Sequence, residues 1–158
     1  MLRLSRKVEY ALLALQSMAV RYERVVSAKE IADEHDIPLE FLAKVLQTLA
    51  KLQLIMSQQG VRGGYVLAQE PHTLTVLDII IAMEGKPAIV DCCEATVDNH
   101  CRMIEQCSIK DPMHRVNGAI TSALNALTLE QLAQSVRNTS HSPTLHDTQF
   151  VQVHIEAT

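Results

Sequence analysis

No apolar run in this chain approaches the ~18 residues that a transmembrane helix requires, so no transmembrane helix is indicated. The chain also lacks a nucleotide-binding glycine loop and a pair of carboxylates on neighbouring elements, which leaves a phosphate-transferring or acid–base enzyme without its parts. It has no internal repeat and no Cys-x-x-Cys pair of the kind that usually builds a zinc knuckle. Nor does it carry an excess of positive charge. With 14 Lys and Arg against 18 Asp and Glu, the formal net charge of −4 argues against indiscriminate nucleic-acid binding.

The distribution of charge is more telling than its total. Residues 1–67 hold nine basic and seven acidic side chains, and residues 68–158 hold five and eleven. A mildly basic front half and an acidic rear fit a local DNA-binding face. At 158 residues the chain suits one compact domain, or a small domain with an appendage. Arg3, Arg6 and Lys7 precede an apolar stretch that resembles a short secretory signal. Glu9 and Gln16 interrupt that stretch, and helical periodicity runs on past the supposed cleavage site. The expected location is therefore cytoplasmic, where thiols stay reduced.

Apolar residues at Val8, Leu12, Leu15, Met18 and Ala19 predict a helix over residues 5–22 with one buried face. Ser27-Ala-Lys-Glu30 is a capping-box pattern that opens a second helix. Pro38 suits the first turn of a third helix, with Leu42, Val45, Leu46 and Leu49 facing inward. Residues 54–68 then read as strand, glycine-rich turn and strand. Thr75 to Asp78 caps a fourth helix that Gly85 ends. Three helices and a Gly-tipped hairpin are the order of a winged helix–turn–helix. Its third helix enters the major groove and its hairpin reaches the adjacent backbone. On that geometry the DNA-reading residues are Glu40, Phe41, Lys44 and Gln47. Ser27 and Lys29 lie at phosphate, and Arg62 at the wing tip. The competing reading is a winged helix used only for protein contact.

Behind the wing stand four cysteines within sixteen residues: Cys92, Cys93, Cys101 and Cys107. The loop that holds them is polar and cannot bury a core of its own, so something else must order it. Thiolates are soft ligands that favour zinc, Cu(I) or iron–sulfur clusters. An iron–sulfur cluster on Cys93, Cys101 and Cys107 is the favoured reading, ahead of structural zinc and a thiol–disulfide switch. Cys92 is expected to be a small buried thiol, with a ligand role as the alternative. Three thiolates leave a four-coordinate site one short. His100, His114, and Glu9 from a second chain are the candidates for the remaining position. Beyond the loop, Val116, Ala119, Ile120, Ala123, Leu124 and Leu127 form a long apolar stripe. So small a domain has little core left to cover it, and the stripe predicts a homodimer seam.

The stretch L-R-L-S-R-K-V-E-Y-A-L, the helix I-P-L-E-F-L-A-K-V-L, the wing G-V-R-G-G-Y-V-L-A and the three-cysteine loop before a long helix occur here in order. Over about residues 2–135 the chain resembles the Rrf-two family of bacterial iron–sulfur-dependent winged-helix regulators. The resemblance implies a homodimeric repressor that binds double-stranded operator DNA. It also implies a 2Fe–2S or 4Fe–4S cluster near the dimer interface. By position, Cys93, Cys101 and Cys107 would ligate the cluster, and Glu9 falls where several members place an acidic ligand donated by the partner subunit. Lys110 stands where one branch of the family has a histidine.

These readings together predict a mainly α fold with a small β-hairpin. A winged-helix domain spans 1–85 and a cysteine cluster-binding loop 86–110. A dimerisation helix with a short following helix covers 111–135, and a flexible tail 136–158. The expected function is transcriptional regulation through a sensed cluster, with no enzymatic activity and no membrane partner. The alternatives are a zinc-stabilised DNA-binding protein and an iron–sulfur electron-transfer protein.

Overall fold

The computed structural model describes residues 3–61, 63–93 and 105–139. Helix α1 (Arg6–Val20) is the central element, and the sequence shows why. Ser5 caps it by accepting from the Val8 N–H at 3.3 Å. Its buried face is made largely of small residues. Ala11 and Ala14 are fully buried beside Val8, Leu15 and Met18. Small side chains let other helices approach α1 closely, and α3, α4 and α6 all pack on it. The periodicity of large apolar residues alone understated this face, because alanines carry much of it.

Helix α2 (Ala28–His35) begins with the expected capping box. The Ser27 hydroxyl accepts from the Glu30 N–H, and the Glu30 carboxylate accepts from the Ser27 N–H. It ends at Asp36 in the left-handed conformation, φ 51°, which Asp tolerates better than most residues. Ile37 then buries its side chain and donates its N–H to Ala32. This fixes the turn into α3 (Leu39–Lys51). Pro38 sits at the cap of α3, one position before its first turn, where the missing N–H costs nothing. Leu42, Val45, Leu46 and Leu49 face the core as the spacing requires.

Strands β1 (Ile55–Gln58) and β2 (Gly64–Leu67) form the antiparallel wing, pairing Ile55 with Leu67 and Gln58 with Gly64. A third segment, absent from the sequence reading, joins them. Val26 and Tyr65 exchange both backbone hydrogen bonds, at 3.0 and 2.9 Å, and so tie the wing to the entry of α2. Gly64 makes this approach feasible, since a Cβ there would stand 2.5 Å from the Val26 carbonyl oxygen.

After a single 3₁₀ turn at Pro71–Thr73, helix α4 (Val76–Glu84) opens on the Thr75–Asp78 capping box and stops at Gly85, φ 91°. A second short 3₁₀ turn, Asp91–Cys93, precedes the long helix α5 (Lys110–Ala126) and then α6 (Leu129–Thr139). No residue of α5 is fully buried. Val116 and Leu127 are 43% and 38% exposed, so the predicted stripe is only partly covered among the described residues.

Helix α6 behaves differently from the helix it follows. Leu129 and Ala133 are buried in the main core. Gln16 donates to the Leu132 carbonyl, and Arg137 donates to the carbonyls of Ala19 and Val20 at the end of α1. Terminal carbonyls of a helix lack partners within it, and a guanidinium satisfies two of them here. The bridge between Thr75 and Thr128 closes the turn that brings α6 back. The helix extends to Thr139, a few residues past the expected start of the tail. The proposed tail from residue 140 lies outside the described residues.

Candidate DNA-reading surface and cysteine–histidine site

A helix with a buried face at 42, 45, 46 and 49 must present the opposite face to solvent. On α3 that face holds Glu40, Phe41, Lys44 and Gln47, all exposed. Phe41 is 60% exposed, which removes it from the core and leaves it on the reading face. The Lys44 ammonium lies 5.8 Å from the centre of the Phe41 ring, a cation–π distance that steadies both side chains.

Lys29 is exposed in the first turn of α2. Ser27 is half-buried, and its backbone N–H is already engaged by Glu30. The Ser27 backbone N–H, then the Ser27 hydroxyl, hold the Glu30 carboxyl below its ordinary value, with smaller help from Arg24 and Arg21. The cap therefore stays charged at neutral pH. Arg62 lies outside the described residues. Its neighbours define the wing tip, where the Gly63 N–H donates to Gly60 and Val61 is fully exposed.

The second constellation lies between the Asp91–Cys93 turn and the first half of α5. The tightness of that turn brings two adjacent thiols toward one place. Cys92 and Cys93 are both half-buried, and their sulfurs and a ring nitrogen of His114 all lie within 4.8 Å of one another. The preceding segment is anchored by the Ile89 N–H donating to Asn117 Oδ1 at 3.1 Å, on the same helix as His114. Cys107 is half-buried just before α5, with its carbonyl accepting from Lys110 at 3.4 Å. Cys101 and His100 lie outside the described residues. Glu9 is half-buried on α1, with its carboxylate 3.3 Å from the Arg6 guanidinium. Sequence spacing disfavoured the use of both adjacent thiols. It also could not single out His114, because only the fold lays α5 across the 3₁₀ turn.

A thiolate pair with an imidazole is a soft to borderline donor set suited to iron or zinc. Around one tetrahedral ion, bonds of ~2.0–2.3 Å place donor atoms roughly 3.3–3.8 Å apart. The three atoms here could close on a single ion with small movements. Two of them on one iron of a binuclear cluster fit equally well, since histidine can replace cysteine at such a centre. Among the described residues no helix is long and apolar enough to cross a membrane.

Comparison with known proteins places this architecture. Residues 4–135 match the family model Rrf2, described as an iron-dependent transcriptional regulator. Over 76 residues the chain is 47% identical to a protein of Aquifex aeolicus provisionally described as an HTH-type transcriptional regulator, covering 48% of this chain. The match spans about half of that relative, 53% of its length. Among solved structures, CymR, titled the global cysteine regulator of B. subtilis, superposes with a TM-score of 0.70 at 30% identity. That match covers 85% of this chain and 98% of CymR. The T. potens IscR structure superposes at 0.71 with 26% identity, covering 90% and 94%. These relatives are regulators rather than enzymes, and the solved structures share this chain's overall fold. The chain belongs to the Rrf2 family of transcriptional regulators.

Proposed function

We propose that the chain is a homodimeric repressor of operator DNA whose binding is set by an iron–sulfur cluster on Cys93, Cys101 and Cys107. The observation that carries this reading is the placement of Cys93 beside α5, with Cys107 just before that helix, in a chain whose reading helix is exposed on α3. The family's description as iron-dependent supports iron at that place. The uncovered apolar residues of α5 support a second copy as its cover.

The cluster would supply redox and ligand-exchange chemistry. The chain's own residues do the rest. Cys93 is held by its N–H donating to Val90 at 2.9 Å, which fixes the turn. Cys107 stands just before α5, so a cluster on Cys93 and Cys107 would tie the cysteine loop to the dimer helix. Two recognition helices must meet half-sites about one helical turn apart, and a small shift between dimer helices changes that spacing. Glu9 of the partner subunit is the proposed acidic ligand. Its carboxylate is a harder and weaker donor to iron than a thiolate, which suits a cluster that must be lost to signal.

The donor geometry also favours a second reading, a mononuclear zinc on Cys92, Cys93 and His114. Anaerobic purification separates the two. A cluster protein is brown or red, absorbs in the visible and contains iron with acid-labile sulfide. A zinc protein is colourless and contains one zinc per chain. Under the first reading Cys93→Ala, Cys101→Ala and Cys107→Ala each bleach the protein while Cys92→Ala keeps its iron. A colourless, zinc-loaded parent protein would sink it.

A further inference from the structure

A cavity of about 290 Å³ lies between α1 and α3, beside the reading face. Arg6, Lys7 and Tyr10 line it from α1, and Phe41, Lys44, Val45 and Thr48 line it from α3. Its floor is apolar and three cations surround it, in a protein whose formal net charge is −4. Two of the lining residues, Phe41 and Lys44, already belong to the reading face. Arg6 and Lys7 belong to a different helix, outside the surfaces that the winged-helix pattern assigns to DNA.

We propose that the DNA contact extends onto the first turns of α1. There Arg6 and Lys7, with Lys44 across the cavity, hold the sugar–phosphate backbone of one strand flanking the groove that α3 enters. The inference rests on the DNA-reading assignment of α3.

The chemistry of the cavity matches that occupant. A nucleic-acid backbone alternates an anionic phosphate with a deoxyribose whose carbon face is apolar. The Phe41 ring, 60% exposed, and the half-buried Tyr10 offer apolar surface to the sugar. The three cations offer donors to the phosphates, where most protein–DNA hydrogen bonds fall. The cations are also positioned in advance. The Lys7 ammonium donates to the Met83 carbonyl at 3.0 Å, and it carries two further N–H groups by its chemistry. Arg6 is held by Glu9 at 3.3 Å, while its side chain stays 72% exposed. Lys44 is steadied over Phe41. Side chains fixed in this way lose less entropy on binding than free ones.

The test is equilibrium binding of the anaerobically purified protein to a mixed-sequence 30-base-pair duplex across a salt series. Phosphate contacts are independent of sequence, so no operator is needed. Arg6→Gln and Lys7→Gln should each lower the slope of log K against log salt by about 0.9. At 0.1 M salt each should weaken binding by up to roughly eightfold. Arg6→Lys keeps the charge and should restore the slope. Circular dichroism and the thermal midpoint report whether each variant folds. Should Lys7→Gln unfold for want of its Met83 bond, Arg6→Gln decides, because its bonding partner lies within its own helix. If Arg6→Gln binds with the parent slope while Lys44→Gln loses affinity, α3 reads DNA and α1 does not, and the inference falls alone. If the parent protein binds no duplex even at low salt, the inference falls together with the DNA-reading assignment.

Discussion

Leu129 is the sharpest place to test how the chain is held together. It opens α6 and is fully buried, and its N–H donates to the Leu74 carbonyl at 2.8 Å. Replacing it with Ala removes the branched end of the side chain from the main core and leaves a cavity. Buried Leu→Ala changes cost about 2.7–5 kcal/mol, depending on how far the surroundings collapse. Collapse here is restrained, because α6 is pinned on both sides. Gln16 holds the Leu132 carbonyl and Arg137 holds the end of α1. The upper half of the range is therefore expected. With a urea slope near ~2 kcal/mol/M, the unfolding midpoint should fall by roughly 1.9–2.5 M. Leu127→Ala, two residues earlier and 38% exposed, is the control and should cost less than about 1 kcal/mol in the monomer. The assay is urea unfolding followed by far-UV circular dichroism at one fixed protomer concentration, since dimerisation would add its own stability. If Leu129→Ala shifts the midpoint no more than Leu127→Ala does, α6 is not part of the cooperative core.

Other expectations follow from particular contacts. Gly64→Ala sets a Cβ 2.5 Å from a backbone oxygen that the Val26–Tyr65 bridge holds in place, so the wing should detach from α2. A cost of about 1–3 kcal/mol and a loss of DNA affinity are expected, and a variant with parental urea stability and affinity would refute the close approach. Under the zinc reading His114→Ala should lower the zinc content of the anaerobically purified protein, while unchanged zinc would take His114 out of that ligand set. The Glu30 carboxyl titrates below its ordinary value in the folded chain. Its contribution to stability is therefore present above the unfolded value of about 4.5 and is lost as pH falls through the folded one. Thermal melts of the parent and of Glu30→Gln from pH 7 to pH 3 should converge at the acid end, and a constant difference across that range would refute the assignment. Ser27→Ala should cost about 1 kcal/mol through the lost cap, seen in the same melts.

Local interactions wrote much of this protein into its sequence. Capping boxes at Ser27 and Thr75, the stop at Gly85 and the inward face of α3 depend on residues within a few positions of one another. Each appears in the structure where the spacing put it. The exposed face of α3 followed from the same periodicity, so Glu40, Phe41, Lys44 and Gln47 were legible as one surface. Contacts between distant segments were not. The wing is braced by Val26, far back in the chain from its partner Tyr65, and nothing in either stretch announces that pairing. Arg6 and Lys7 looked like the basic lead of an apolar segment until α1 was laid against α3. Leu129 and Ala133 carry no mark that separates them from the residues of α5, yet these two are buried and no residue of α5 is. His114 was one of two candidate histidines until the fold brought it to Cys92 and Cys93. Backbone capping and helical periodicity act over three or four residues and can be read directly. Which helix face meets which, and therefore which side chains share a site, is decided by burial of the whole chain at once, and that depends on residues a linear reading keeps apart.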